Sequence, residues 1–385
     1  MNILVLGGCG AMGSESTRDL VEHSDFKTIA VADIDQGKAQ AWCDQLKDSR
    51  LKALAVDVNN KPDLVRLFAD YDVVLNCTSY AFGLTITEAA IEARKPLLDL
   101  GGLYNTPKQL AMTEQAEAAG VSIVLGMGAT PGVTNLMAKA GATHMDQVEE
   151  IHIAFATYRS IAPSPGLLST VLDEFSPDTT RFYYESGKFV ELPPFEGEKE
   201  VAFDPPVGRV KTWYVPHSET HTLPRFIPGV RRVDVRGTWR PEIMHALKHY
   251  NEVGLLSTQP LQAGGHQVPP KETLRAIFLA NGGWPGPGEW AFLLNVEVVG
   301  RKGDYKVTAT YNLSHPPTSE WGELATGKVT GIPASIGAQR VARGEVLRKG
   351  VLGPEAAFDP WPFFADLAKR QMYVREEVQS VRSTR

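Results

Sequence analysis

Cysteine is scarce in this chain. There are three, Cys9, Cys43 and Cys77, and no two form a C-x-x-C pair. An odd, sparse count does not build a disulfide framework; it fits free thiols in a reducing cytoplasm, the location expected here. Long apolar runs are also missing. None approaches the roughly 20 residues of a membrane span. The first strand begins at once, which leaves no room for a signal peptide. Neither sign of charge is in large excess: 39 Lys and Arg face 45 Asp and Glu, a net charge of −6. No nucleic-acid or membrane-surface partner is expected from that balance. Internal repeats and low-complexity segments are absent as well. At 385 residues the chain has ample length for two cored domains.

Glycine, by contrast, is placed with purpose near the start. Residues 3–6 are four apolar side chains, two of them β-branched, and read as a buried strand. Gly8, Gly10 and Gly13 follow as G-x-G-x-x-G, with Cys9, Ala11 and Met12 between them. Residues 14–23 then read as a helix. In such a turn the first glycine allows the tight bend and the second leaves room for a pyrophosphate. The third lets helix and strand pack closely. The helix N-terminus offers free N–H groups to the phosphates. A second strand, 28–32, ends at Asp33, 20 residues beyond Gly13. A carboxylate there accepts both ribose hydroxyls of the adenosine half and repels a 2′-phosphate. The expected cofactor is therefore NAD, with Ile34 beside Asp33.

Strands and helices go on alternating to residue 125, which implies βαβ units and a parallel sheet. Asp57 and Val58 follow the third strand, where an adenine ring is often touched; Asp57 as cap of the helix at 62–69 is the competing reading. Thr78 and Ser79 follow the fourth strand, and Gly101 and Gly102 the fifth. Loops at the carboxyl ends of parallel strands border the cofactor crevice. A second glycine-rich turn, 126–135, opens another helix. It reads equally as an anion site and as a domain junction.

After Asp146 the pattern alternates as antiparallel strands do. Prolines crowd this half of the chain. Segments 293–300 and 305–313 read as a hairpin, and helical spacing resumes over 333–346 and 359–370. The expected architecture is an α/β Rossmann dinucleotide-binding domain, residues 1–140 and 333–385, with an inserted α+β substrate and dimerisation domain, 141–332.

The densest polar stretch is 214–228, YVPHSETHTLPRFIP. Pro216 and Pro224 argue against a regular helix, so an extended run is expected, with His217, Glu219 and His221 on one side. Two histidines and a carboxylate also suit a transition metal, but no further ligand cluster accompanies them, and no metal is expected. As a substrate loop, His217 or Glu219 would take an amine proton and Arg225 would hold a carboxylate. A solvated loop is the competing reading. Tyr104 and Arg159 are further cleft candidates.

With these pieces placed, the whole chain resembles the saccharopine dehydrogenase-like family, with its strongest likeness to the L-lysine 6-dehydrogenase branch. The likeness rests on VLGGCGAMG, VADID, LLDLGGLY, GMGATPGVTN, HSETHTLPRFIPGV and GEVLRKGVLGPE. It implies hydride exchange between a nicotinamide and a C–N carbon of an amino-acid substrate, in a homodimer. Lysine, saccharopine and carboxynorspermidine are all substrates within that family. A non-catalytic NAD(H) sensor on the same fold is the alternative. A crowded, polar, Arg-containing cleft would favour the enzyme, and a cleft plugged by apolar side chains the sensor.

Overall fold

The computed structural model describes residues 1–101, 103–158, 161, 165–284, 290–322 and 325–382. Gly102 and Arg159 lie outside the described residues. Seven parallel strands form the first sheet. Their order is Gly350–Leu352, Ser122–Val124, Leu97–Asp99, Val73–Asn76, Asn2–Leu6, Thr28–Asp33 and Leu51–Ala55. Ile3 to Leu6 are fully buried on both faces, as a central parallel strand requires. The strand order reverses beside Asn2–Leu6, which pairs with Thr28–Asp33 on one side and Val73–Asn76 on the other. The carboxyl ends of these strands open the crevice in which such sheets bind ligands.

Among the described residues the second sheet has nine strands. Its centre is Gln147–Tyr158, flanked by Trp290–Lys302 in antiparallel register and by Arg232–Trp239 in parallel register. The hairpin expected near 301–304 is present, joining Trp290–Lys302 to Tyr305–Ser314. One apolar cluster runs from Ile3 and Val5 through Leu136 and Met137 to Val296 and Val298, so both sheets share a core.

The end of the chain departs from expectation in two ways. The helix expected from 333 is Ala325–Ala342, with Pro333 inside it. It lies against Gly13–His23, where Ser16 Oγ donates to the Gly331 carbonyl at 3.1 Å. Close packing against that helix outweighs the single backbone bond that Pro333 removes. The last strand, Tyr373–Arg382, pairs with Tyr305–Ser314 in the second sheet. The expectation that all of 333–385 returns to the first domain therefore does not extend to it. Gly350–Leu352, in contrast, lies at the edge of the first sheet. Phe363 and Leu367 of Pro360–Ala368 are fully buried, a contribution of roughly 1.5–3 kcal/mol each.

Candidate active site

The glycine turn is built as its spacing implies, with one shift. Gly7, at φ +68°, makes the left-handed turn out of the first strand, where Gly8 was expected to do so. Gly8 instead accepts a hydrogen bond at its carbonyl from Thr17 Oγ1, 2.8 Å away. A Cβ on Gly13 would stand 2.1 Å from the Gly7 carbonyl oxygen, so the helix closes on the turn only with glycine there. A Cβ on Gly10 would meet nothing nearer than that same oxygen at 3.1 Å, and Gly10 lines a cavity of about 280 Å³. This bare backbone facing open space is the cradle a pyrophosphate needs, so the residues fit a dinucleotide.

Asp33, Ile34, Asp57 and Val58 line the same cavity. Asp33 Oδ2 accepts from Cys9 Sγ at 3.2 Å, and burial with this bond pushes the Cys9 thiol up to about 12, leaving it inert. Asp57 accepts from the Asn59 backbone N–H at 2.9 Å. The cap of the helix Lys61–Phe68 is Asn60, not Asp57. Thr78 joins this cavity to a second one of about 670 Å³, which Ala11, Met12, Ser79 and Gly101 also line. Tyr80, Gly101, Thr170 and Asp173 continue from there into a third, of about 190 Å³, where His217 and Glu174 stand. A single cleft thus runs from Asp33 past the glycine turn to His217.

A partly buried histidine and a buried carboxylate meet at its far end. His217 Nδ1 lies 2.9 Å from Glu219 Oε2, and Glu219 is wholly buried. Glu219 Oε1 accepts from Thr130 Oγ1 at 2.6 Å and from Thr134 Oγ1 at 2.9 Å. Burial alone would lower the His217 pKa; the Glu219 carboxylate, with Glu174 beyond, outweighs burial and holds it above the ordinary value. Burial would likewise raise Glu219, but His217 and the Thr130 hydroxyl hold it below the usual carboxylate range. The pair is a histidine kept basic by an ionised carboxylate, the arrangement of an acid–base catalyst.

Residues 3–124 match the family model described as the saccharopine dehydrogenase NADP binding domain, and residues 128–372 match the saccharopine dehydrogenase C-terminal domain. The chain belongs to the saccharopine dehydrogenase family. It is 25% identical over 397 residues to a carboxyaminopropylagmatine dehydrogenase of Synechocystis, covering 95% of each chain. It is 27% identical over 401 residues to a carboxynorspermidine synthase of Vibrio alginolyticus, covering 92% of each. Its fold matches that of the L-Glu-forming saccharopine dehydrogenase of Saccharomyces cerevisiae, with a TM-score of 0.71 and 16% identity over 98% of this chain and 99% of that one. Membership of the saccharopine dehydrogenase family makes the protein an oxidoreductase with a pyridine-nucleotide site.

Several expected groupings in this saccharopine dehydrogenase family member are not those observed. Glu219–Phe226 is an α-helix, although Pro224 sits inside it. Thr220, Thr222 and Leu223 are buried, and that packing compensates for the backbone bond Pro224 cannot make. Period two is therefore replaced by the helical period. His221 turns away into an aromatic cluster with Phe182 and Phe189, and burial pushes its pKa down to about 4. Arg225 is exposed and lines none of the three cavities; its guanidinium stands 5.8 Å from the ring centre of adjacent Phe226. It is not placed to hold a substrate carboxylate. Tyr104 is also outside the cavity of His217. Its hydroxyl donates to the Thr180 carbonyl at 2.8 Å, tying the first domain to the second, and burial pushes it up to about 12. Among the described residues no group of three or more His, Cys, Asp or Glu is arranged to hold a metal ion, and no helix is long and apolar enough to cross a membrane.

Three further residues near the pair had no individual role in the sequence reading. Thr130 and Thr134 belong to the second glycine turn, which serves here to orient Glu219; the Gly132 N–H is already taken by Asn135 Oδ1 at 2.9 Å. Glu174 lies on the helix Pro165–Phe175, only 7% exposed, with Trp239 Nε1 donating to its Oε2 at 3.4 Å. The available signal for Glu174 was an acidic pair, Asp173 and Glu174, near the end of a helix with no other charged residue.

Proposed function

We propose that this oxidoreductase acts on the C–N bond of a carboxyalkylated amine, with His217 as the proton-handling group and Glu219 as the residue that orients it. The carrying observation is the His217–Glu219 pair at 2.9 Å, in a cleft continuous with the glycine turn. When bound, the nicotinamide supplies the hydride donor or acceptor. Gly10, Ala11, Met12, Thr78 and Ser79 would hold its phosphate side, and Asp33 with Asp57 its adenosine side. Gly8 and Gly13 shape the turn. His217, through Nε2, would take the proton of the amine as C–N oxidation begins and return it in the reductive direction. The cavity at this end is open, with His217, Asp173 and Glu174 set among apolar side chains, and that supports an enzyme over a sensor.

Two finer readings go with this. NAD is favoured as the cofactor, although the matching family model is described as NADP binding. Asp33 and Asp57 line the adenosine end, and no Lys or Arg does so among the described residues. A 2′-phosphate would meet negative charge there without a partner. Polyamine-type substrates are favoured over lysine, because the two relatives above are named for carboxyaminopropylagmatine and carboxynorspermidine. The domain division, 1–140 with the helices of 333–370 against 141–332 with the last strand, stands as part of this proposal. So does a cytoplasmic homodimer, on the family resemblance and the free thiols. The test is a panel of amines paired with oxo acids, and of amino acids including lysine and saccharopine, followed by NADH and NADPH absorbance. Turnover of a carboxyalkylated polyamine with NAD(H) is expected. Turnover of lysine alone would refute the substrate reading.

A further inference from the structure

His217 has carboxylates on two sides. Glu219 is bonded to it and ionised. Glu174 lines the same cavity from the helix Pro165–Phe175. The charged side chains around Glu174 do not bond its carboxylate. Asp173 Oδ1 accepts from Lys271 Nζ at 2.5 Å. The Arg181 guanidinium reaches the Glu174 backbone instead of its carboxylate, donating from Nη2 to the Glu174 carbonyl at 2.9 Å and to the Ser176 carbonyl at 3.0 Å. Among the described residues no Lys or Arg side chain forms an ion pair with the Glu174 carboxylate, and Trp239 is its hydrogen-bond donor. His217 and Arg181 act on Glu174 through charge, but neither bonds its carboxylate, which is only 7% exposed. A buried carboxylate in that position needs a cation or a proton.

We propose that Glu174 is the site's anchor for a cationic nitrogen of the substrate, an alkylammonium or guanidinium group. This rests on the amine-substrate reading above and adds the residue that recognises the charge. Burial pushes the Glu174 pKa up to about 7, with His217, Trp239 and Arg181 pulling it down and Asp173 pushing it further up. The carboxyl therefore carries a proton for part of the time near neutrality. Arrival of a cation displaces that proton, so amine binding is accompanied by proton release. Thr170 and Thr179 beside it supply hydroxyls for the remaining N–H groups.

The probes are 1,4-diaminobutane and its uncharged counterpart 1,4-butanediol, titrated calorimetrically into the whole protein near pH 7 in two buffers of different ionisation enthalpy. The diamine is expected to bind with proton release, and the diol not to bind. Glu174→Gln should weaken diamine binding about 10- to 100-fold, the worth of one charge-assisted hydrogen bond, and abolish proton release. Binding of NADH should be unchanged in the same variant, which reports that it is folded; Glu174→Asp should restore part of the affinity. Diamine binding by Glu174→Gln equal to wild type overturns the anchor while leaving the amine-substrate reading intact. A wild-type protein that binds NADH but no amine overturns both.

Discussion

Glu219→Gln is the perturbation with the clearest structural consequence. Thr130 and Thr134 both donate to Oε1 of Glu219. A glutamine whose carbonyl oxygen takes the place of Oε1 keeps both hydroxyl bonds as they are. Its amide nitrogen then faces His217 Nδ1, where the carboxylate Oε2 stood. An amide N–H donates, so Nδ1 becomes an acceptor and the proton of the neutral imidazole moves to Nε2. Nε2 then has no lone pair for the amine proton. The expected loss is that of a general base, about 10²- to 10⁴-fold in kcat for amine oxidation, with nucleotide affinity unchanged. The charge is lost as well, so the His217 pKa should fall. Activity rises as the base deprotonates, and the surviving acid limb of the kcat–pH profile should move to lower pH. Stability gives a second readout. In the wild type, the contribution of His217 is complete below its unfolded value and is lost as pH rises through its raised folded one. That of Glu219 is present above its unfolded value and is lost as pH falls through its lowered folded one. The pair therefore stabilises most between the carboxylate and imidazole ranges, and the variant should show a shallower maximum, the His152–Asp234 pair keeping its own share. Steady-state kinetics and thermal melts from pH 4 to pH 9 test this. Wild-type kcat with an unmoved acid limb would refute the reasoning.

Other variants probe the remaining claims. Gly13→Ala places a methyl group 2.1 Å from the Gly7 carbonyl oxygen; the turn must open, with a stability loss of about 1–3 kcal/mol and loss of NADH fluorescence enhancement. Unchanged NADH affinity would show that this packing does not shape the cradle. Asp33→Ala should weaken NADH and narrow its advantage over NADPH, as measured by dissociation constants; a wild type that prefers NADPH would contradict the charge argument. Arg225→Ala should leave KM for the amine substrate and kcat at wild-type values, since Arg225 is exposed outside the cleft. A large rise in KM would restore it to the site.

The sequence alone determined much of the nucleotide half. The G-x-G-x-x-G run, the carboxylate at Asp33 and the alternation of strands with helices are local signals. Each is set by backbone sterics and periodicity within a few residues, so each was legible without tertiary structure. His217 and Glu219 also stood out in the sequence, because they are two positions apart and of complementary chemistry. What lay beyond reach depended on packing between distant segments. Pro224 entered a helix because the burial of Thr222 and Leu223 outweighed its missing hydrogen bond, and that choice sent His221 and Arg225 away from the cleft. Thr130, Thr134 and Glu174 came to His217 from other elements, separated along the chain by 40 residues or more. The last strand joined the second sheet because its pairing partner, Tyr305–Ser314, offered an open edge, which no periodicity in 373–382 could announce. Local propensity decides where elements lie; burial shared between remote elements decides which side chains face one another, and the chemistry of this site belongs to the second.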